Sequence, residues 1–125
     1  MEPFTIAVDF DGTIVCNKFP EIGEPVPMAI DTIKSWIDMG FRVILWTMRH
    51  DKYLDDAVRY CKEAGIEFYG VNENPSQGWS DSPKAYAHRY VDDMAIGCPL
   101  REYNGYKVVD WKKISELIWA QRGLQ

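Results

Sequence analysis

Several features are scarce in this chain of 125 residues, and each scarcity removes a class of protein from consideration. Cysteine is one. Cys16, Cys61 and Cys98 are odd in number and form no CxxC pair, so the sequence carries no disulfide framework and reads as reduced and intracellular. A zinc site drawn from Cys16, Cys98, His50 and His88 would lack the paired ligand spacing that such sites use. No apolar run approaches the roughly 20 residues of a membrane span, and no basic segment leads into an apolar one at the N-terminus. The expectation is a soluble, cytoplasmic chain with no membrane partner. Basic runs are missing as well. Lys and Arg are scattered and the net charge is −5, which gives no strong nucleic-acid signal. Repeats, low-complexity segments and linkers are absent from the sequence too.

What is present is ordinary globular composition, 46% hydrophobic and 26% charged, which argues against disorder. The length suits one domain, residues 1–125, able to bury a core without metal or disulfide staples. Phe4-Thr5-Ile6-Ala7-Val8 reads as a buried strand that ends in Asp9-Phe10-Asp11-Gly12-Thr13. Residues 14–24 are irregular, with Asn17, Lys18 and Phe19 close in sequence to the acidic strand end. Pro27 is expected to open a helix whose apolar positions, Val26, Ala29, Ile30, Ile33 and Ile37, recur at three and four, with Gly40 as its stop. Phe41–Trp46 is a second strand, apolar on both faces. Asp51 is placed to cap a second helix with Leu54, Ala57, Val58 and Cys61 inward, closed by Gly65. Ile66–Val71 reads as a third strand and 72–83 as a polar loop. A short helix around Lys84–His88 and a strand Arg89–Val91 ending in Asp92-Asp93 follow. Asn104-Gly105 signals a two-residue hairpin turn, and Asp110 caps a last helix with Trp111, Ile114, Leu117 and Ile118 inward.

Strands alternating with helices imply a doubly wound, Rossmann-like α/β fold: a parallel sheet with right-handed crossovers, helices on both faces and no large cap domain. Ligands of such sheets bind beyond the carboxyl ends of the strands. The polar residues of this chain collect at those ends: Asp9 and Asp11, Thr47, then Asp92 and Asp93. Four carboxylates at one sheet edge repel one another unless a hard divalent cation such as Mg²⁺ joins them, taking carboxylates, waters and phosphate oxygens as ligands. Lys84, after the polar loop, is placed to set an ammonium over the same site and bind a phosphoryl oxygen.

The set Asp9-Phe10-Asp11-Gly12-Thr13, Thr47, Lys84 and Asp92-Asp93, in this order, resembles the four motifs of the haloacid dehalogenase superfamily of phosphotransferases and hydrolases. The likeness covers residues 5 to 93 in separated pieces, and the first motif is its most specific part. The resemblance implies a Mg²⁺-dependent phosphomonoesterase in which Asp9 is the nucleophile, forming an aspartyl-phosphate, and Asp11 the general acid and base. It implies a metal held by Asp9, the backbone carbonyl of Asp11 and Asp92, with Asp93 binding directly or from just outside. Thr47 and Lys84 would hold the phosphoryl group, while Gly12 makes room for it. The intervals between motifs are filled by elements the core itself requires, so the chain resembles a capless member. Its open site suits a phosphorylated small molecule or an exposed phosphate on a larger one, unless loops 14–24 and 72–83 or a second subunit supply a lid. Arg49, Asn17, Phe19 and Trp79 are the candidates for substrate contact, and the hairpin 101–108 offers a surface for a homo-oligomer. Two alternatives stay open: a catalytically weak relative that binds metal or phosphate, and a receiver-type phosphoacceptor domain. Against the latter, the phosphoacceptor Asp of a receiver ends a middle strand, whereas the second strand here runs into Thr47 and Gly-Thr follows the first acidic pair.

Overall fold

The computed structural model describes residues 3–122. Its centre is β1 (Thr5–Val8), buried along its whole length. β2 (Arg42–Leu45) lies on one side of β1 and β4 (Arg89–Val91) on the other, and β3 (Gly70–Val71) flanks β2, all parallel in the order β3-β2-β1-β4. A separate antiparallel hairpin joins β5 (Leu100–Tyr103) to β6 (Tyr106–Val109). Its turn is the Asn104-Gly105 pair with φ of 50° and 83°, both in the left-handed region that this two-residue turn demands.

The helices are α1 (Ala29–Asp38), α2 (Asp51–Glu63) and α3 (Trp111–Gln121). No described helix is long and apolar enough to cross a membrane. Alternation along the strands sends Ile6, Val8, Val43 and Leu45 to one face. There they form a single core with Ala29, Ile33 and Trp36 of α1, Ala57 and Cys61 of α2, and Trp111, Ile114 and Ile118 of α3. Trp36 and Trp111 meet at 5.6 Å between ring centroids, tying α1 to α3. Ala7 and Ile44 point the other way, into a small cluster with Ala87, Trp46 and Tyr69. The expected helices on both faces are therefore realised on one face, and the segment leading to β4 covers the other without a helix.

That difference has a local cause. The helix expected at Lys84–His88 is replaced by a chain of bends, because side chains take the backbone groups a helix would use. Tyr86 N–H donates to Gln77 Oε1 at 2.6 Å, Lys84 N–H to Ser82 Oγ at 3.2 Å, and Ala87 N–H to Tyr90 Oη at 3.1 Å. Tyr90 Oη in turn donates to the Ala85 carbonyl at 2.7 Å. Other boundaries also move. The third strand shrinks to Gly70–Val71, since the chain meets β2 only from Tyr69 onward. α1 begins after Pro27, with Met28 as its N-cap, and α2 takes His50 rather than Asp51 as its N-cap, with no side-chain cap at either. Asp110 does cap α3, accepting from Lys113 N–H at 3.1 Å.

Candidate active site

Asp9 follows the last residue of β1 and still belongs to the sheet, its N–H donating to the Val91 carbonyl at 2.9 Å. The same register brings Asp92 and Asp93, just past β4, alongside it. One carboxylate oxygen from each of Asp9, Asp92 and Asp93 lies within 4.8 Å of the others. Thr13 Oγ1 donates to either Asp9 Oδ2 (3.4 Å) or Asp93 Oδ1 (3.5 Å) and accepts from Asp93 N–H (3.3 Å), so it spaces two of the acids. Trp111 Nε1 fixes the Thr13 carbonyl from the core at 2.7 Å.

The electrostatics follow from this crowding. Burial first, and then the Asp92 carboxylate, pushes Asp9 up to about 8. Asp93 is raised too, again by burial above all. Such a cluster of hard oxygens, with no nitrogen or sulfur donor among its members, suits Mg²⁺ or a similar cation by donor type. The histidines and cysteines considered for zinc do not assemble with it. Cys16 is buried, and His88 Nδ1 accepts the Thr5 N–H at 3.0 Å while its ring stacks on Phe4.

A cleft of about 620 Å³ opens above the cluster, lined by Asp9, Asp11, Asn17, Thr47, Arg49 and Asp93 among others. A smaller adjoining one, about 380 Å³, shares Asp9 and Thr47 and adds Asp92 and Asn72. Thr47 is positioned from the end of β3, its N–H donating to Asn72 Oδ1 at 2.8 Å. Its hydroxyl oxygen accepts Arg49 N–H at 3.1 Å, which leaves the hydroxyl proton for a ligand. Asn72 reads as a loop residue in the sequence, although a polar residue closing a strand is the same signal that picks out Asp9 and Thr47.

Three expected roles change here, those of Lys84, Trp79 and Gly12. Lys84 is not brought to the carboxylates; its ammonium lies 5.1 Å from the Tyr90 ring centroid, in a side cavity it shares with Trp79. Trp79 packs edge-on against Tyr86 there and lines neither cleft at Asp9. The Asp11 side chain pairs with Arg49 and stands outside the three clustered acids, in keeping with a metal role expected only of its backbone carbonyl. Gly12 makes room for Asp93 rather than for a phosphate. A Cβ there would run into the Asp93 carboxylate, φ is +83°, and the Gly12 N–H is already given to the Val15 carbonyl at 2.7 Å. Gly12→Ala should therefore lower stability by about 2 kcal/mol or more, read as a fall in the urea midpoint. An unchanged midpoint would contradict the close approach.

No protein-family model matches the chain, and no curated protein matches it. Among solved structures, a conserved protein from Bacteroides thetaiotaomicron is similar at 37% identity with a TM-score of 0.82, over 96% of this chain and 93% of that one.

Proposed function

The chain belongs to the same family as that conserved Bacteroides thetaiotaomicron protein, and we propose that it is a Mg²⁺-dependent phosphohydrolase working through an aspartyl-phosphate on Asp9. The observation that carries this reading is the meeting of Asp9, Asp92 and Asp93 at the end of the central strand, with Asp9 raised to about 8. The resemblance to the haloacid dehalogenase motifs supports it independently.

Asp9, Asp92 and Asp93 would hold the cation, which would neutralise their mutual repulsion and draw charge from the phosphoryl oxygens. An Asp9 carboxylate oxygen attacks phosphorus, the bond to the leaving oxygen breaks, and Asp11 delivers a proton to that oxygen. Asp11 then takes a proton from the water that attacks the phosphoryl-aspartate, releasing inorganic phosphate and restoring the Asp9 carboxylate. Thr47 donates its hydroxyl proton to a phosphoryl oxygen. Asn17 lines the same cleft and is placed to meet the leaving group.

One observation favours a second reading, a relative that binds metal and phosphate with little turnover. Lys84 lies outside the site and the space beside Gly12 is taken by Asp93, so two residues expected at the phosphate do not serve it. A screen over sugar phosphates, nucleotides and 3′- or 5′-phosphorylated oligonucleotides separates the two. Mg²⁺-dependent phosphate release from at least one class is expected. Mg²⁺ binding without release from any of them would favour the second reading, and absence of Mg²⁺ binding would overturn both.

A further inference from the structure

Arg49 is the least expected group in the cleft. It is a cation with its side chain only 1% exposed, beside an Asp11 side chain that is 16% exposed. Its guanidinium forks onto Asp11, Nε to Oδ2 and Nη2 to Oδ1, both at 2.8 Å. Nη2 also donates to the Glu21 carbonyl at 2.9 Å, and Nη1 to the carbonyls of Pro20 at 3.2 Å and Tyr53 at 3.3 Å. A guanidinium has five N–H donors, and these five bonds use them all. The Phe10 and Phe19 rings each lie with their centroid 5.0 Å from the guanidinium carbon.

A cation so fully committed has nothing left to offer a phosphate, which removes the substrate-contact role expected for Arg49. We infer instead that Arg49 is a positioning residue: its fork fixes the plane and rotamer of the Asp11 carboxylate, and its other bonds fasten the 17–22 segment and the start of α2 to the same point. The inference rests on the phosphohydrolase reading. Each Asp11 oxygen gives one lone pair to the fork and keeps another for the proton it exchanges with the leaving group or water. The segment tied down at Pro20 and Glu21, whose Asn17 and Phe19 line the cleft, is consequently a fixed wall and not a lid. The residues that follow it pair back onto the turn after β1, as Cys16 N–H donates to the Glu24 carbonyl at 2.8 Å and Val26 N–H to the Ile14 carbonyl at 2.9 Å.

The test compares kcat/KM, which reads steps only through departure of the leaving group, for an alkyl and an aryl phosphate. An alkoxide needs the proton that Asp11 carries, whereas p-nitrophenolate leaves without it. Arg49→Met should lose about 100-fold on the alkyl ester and no more than about 5-fold on the aryl ester. Asp11→Asn should show the same pattern, and the double variant no further loss. Arg49→Lys should stay close to Arg49→Met, because a single ammonium cannot replace a planar fork; it also carries the comparison should Arg49→Met fail to fold. Equal losses on both esters, full recovery by Lys, or additive losses would overturn the inference. A readout independent of turnover is the Arg49 Nε–H resonance, protected from solvent exchange in the natural chain and exposed in Asp11→Ala. Protection that survives Asp11→Ala would overturn the pairing itself, whereas a natural chain inactive on every ester overturns the phosphohydrolase reading and, with it, the role of Arg49 in the reaction.

Discussion

Asp9→Asn should abolish Mg²⁺-dependent phosphate release, by about 10⁴-fold or more, while making the metal-free protein more stable. The two effects have one origin. The amide keeps the shape of the carboxylic acid but cannot act as a nucleophile. It also removes a charge that the fold disfavours, since burial and the neighbouring Asp92 hold Asp9 up at about 8. Above that value the natural protein must either carry an uncompensated carboxylate or bind a cation. Relief of this strain in Asp9→Asn should be worth on the order of 1–3 kcal/mol in chelator at pH 8, a rise of several degrees in Tm. The opposed directions make the result diagnostic, because an ordinary destabilising substitution loses activity and stability together. Turnover surviving in Asp9→Asn would remove the nucleophile from the mechanism. A metal-free Tm that falls would show that Asp9 is not the strained member of the cluster.

The frame of this site is legible in the sequence because it depends on local rules. A buried strand closing in two carboxylates, the Asn104-Gly105 turn and the Asp110 cap are each set by a few neighbouring residues, and each occurs where the pattern places it. The parallel order around β1 follows from alternation of elements, and it delivers Asp92 and Asp93 to Asp9 through the β1–β4 register. What escapes the sequence depends on groups far apart along the chain. Arg49 and Asp11 are separated by 38 positions, and nothing in either neighbourhood announces that the guanidinium is buried and fully bonded. Lys84 fits the motif order, but its direction is set by a segment whose side chains hold the backbone in bends. Gly12 stands out in the sequence as a position that must stay small; the group that forbids a side chain there, Asp93, lies 81 positions away.

Stability in chelator should fall as pH rises, and the stabilisation gained on adding Mg²⁺ should grow over the same range. Asp9 has a folded value of about 8 against 3.8 for an unperturbed carboxyl, and Asp93 is raised in the same direction. Between those values the folded chain keeps a proton that the unfolded chain has released. The folded state therefore binds more protons, and stability must fall as pH rises from about 4 toward 8. Below about 4 both states are protonated and the contribution vanishes. A tenfold difference in proton affinity between the two states is worth about 1.4 kcal/mol, so the total across the window is several kcal/mol, shared among the interacting acids. In chelator, Tm should be highest near pH 5 and lower at pH 8. Mg²⁺ bound to the ionised cluster would offset this fall, since it must displace the cluster's protons in order to bind. At 100 times its Kd it adds about 2.7 kcal/mol, and at pH 5 competition with protons leaves less of that gain. The increment in Tm on adding 10 mM Mg²⁺ should consequently be larger at pH 8 than at pH 5. Asp9→Asn separates this contribution from the other titrating groups: its chelator curve should lose most of the decline between pH 5 and 8, and its Mg²⁺ increment should shrink. A Mg²⁺ increment equal at both pH values would mean that the cation acts elsewhere on the surface, because only a site whose ligands must first lose protons couples metal affinity to pH in this window.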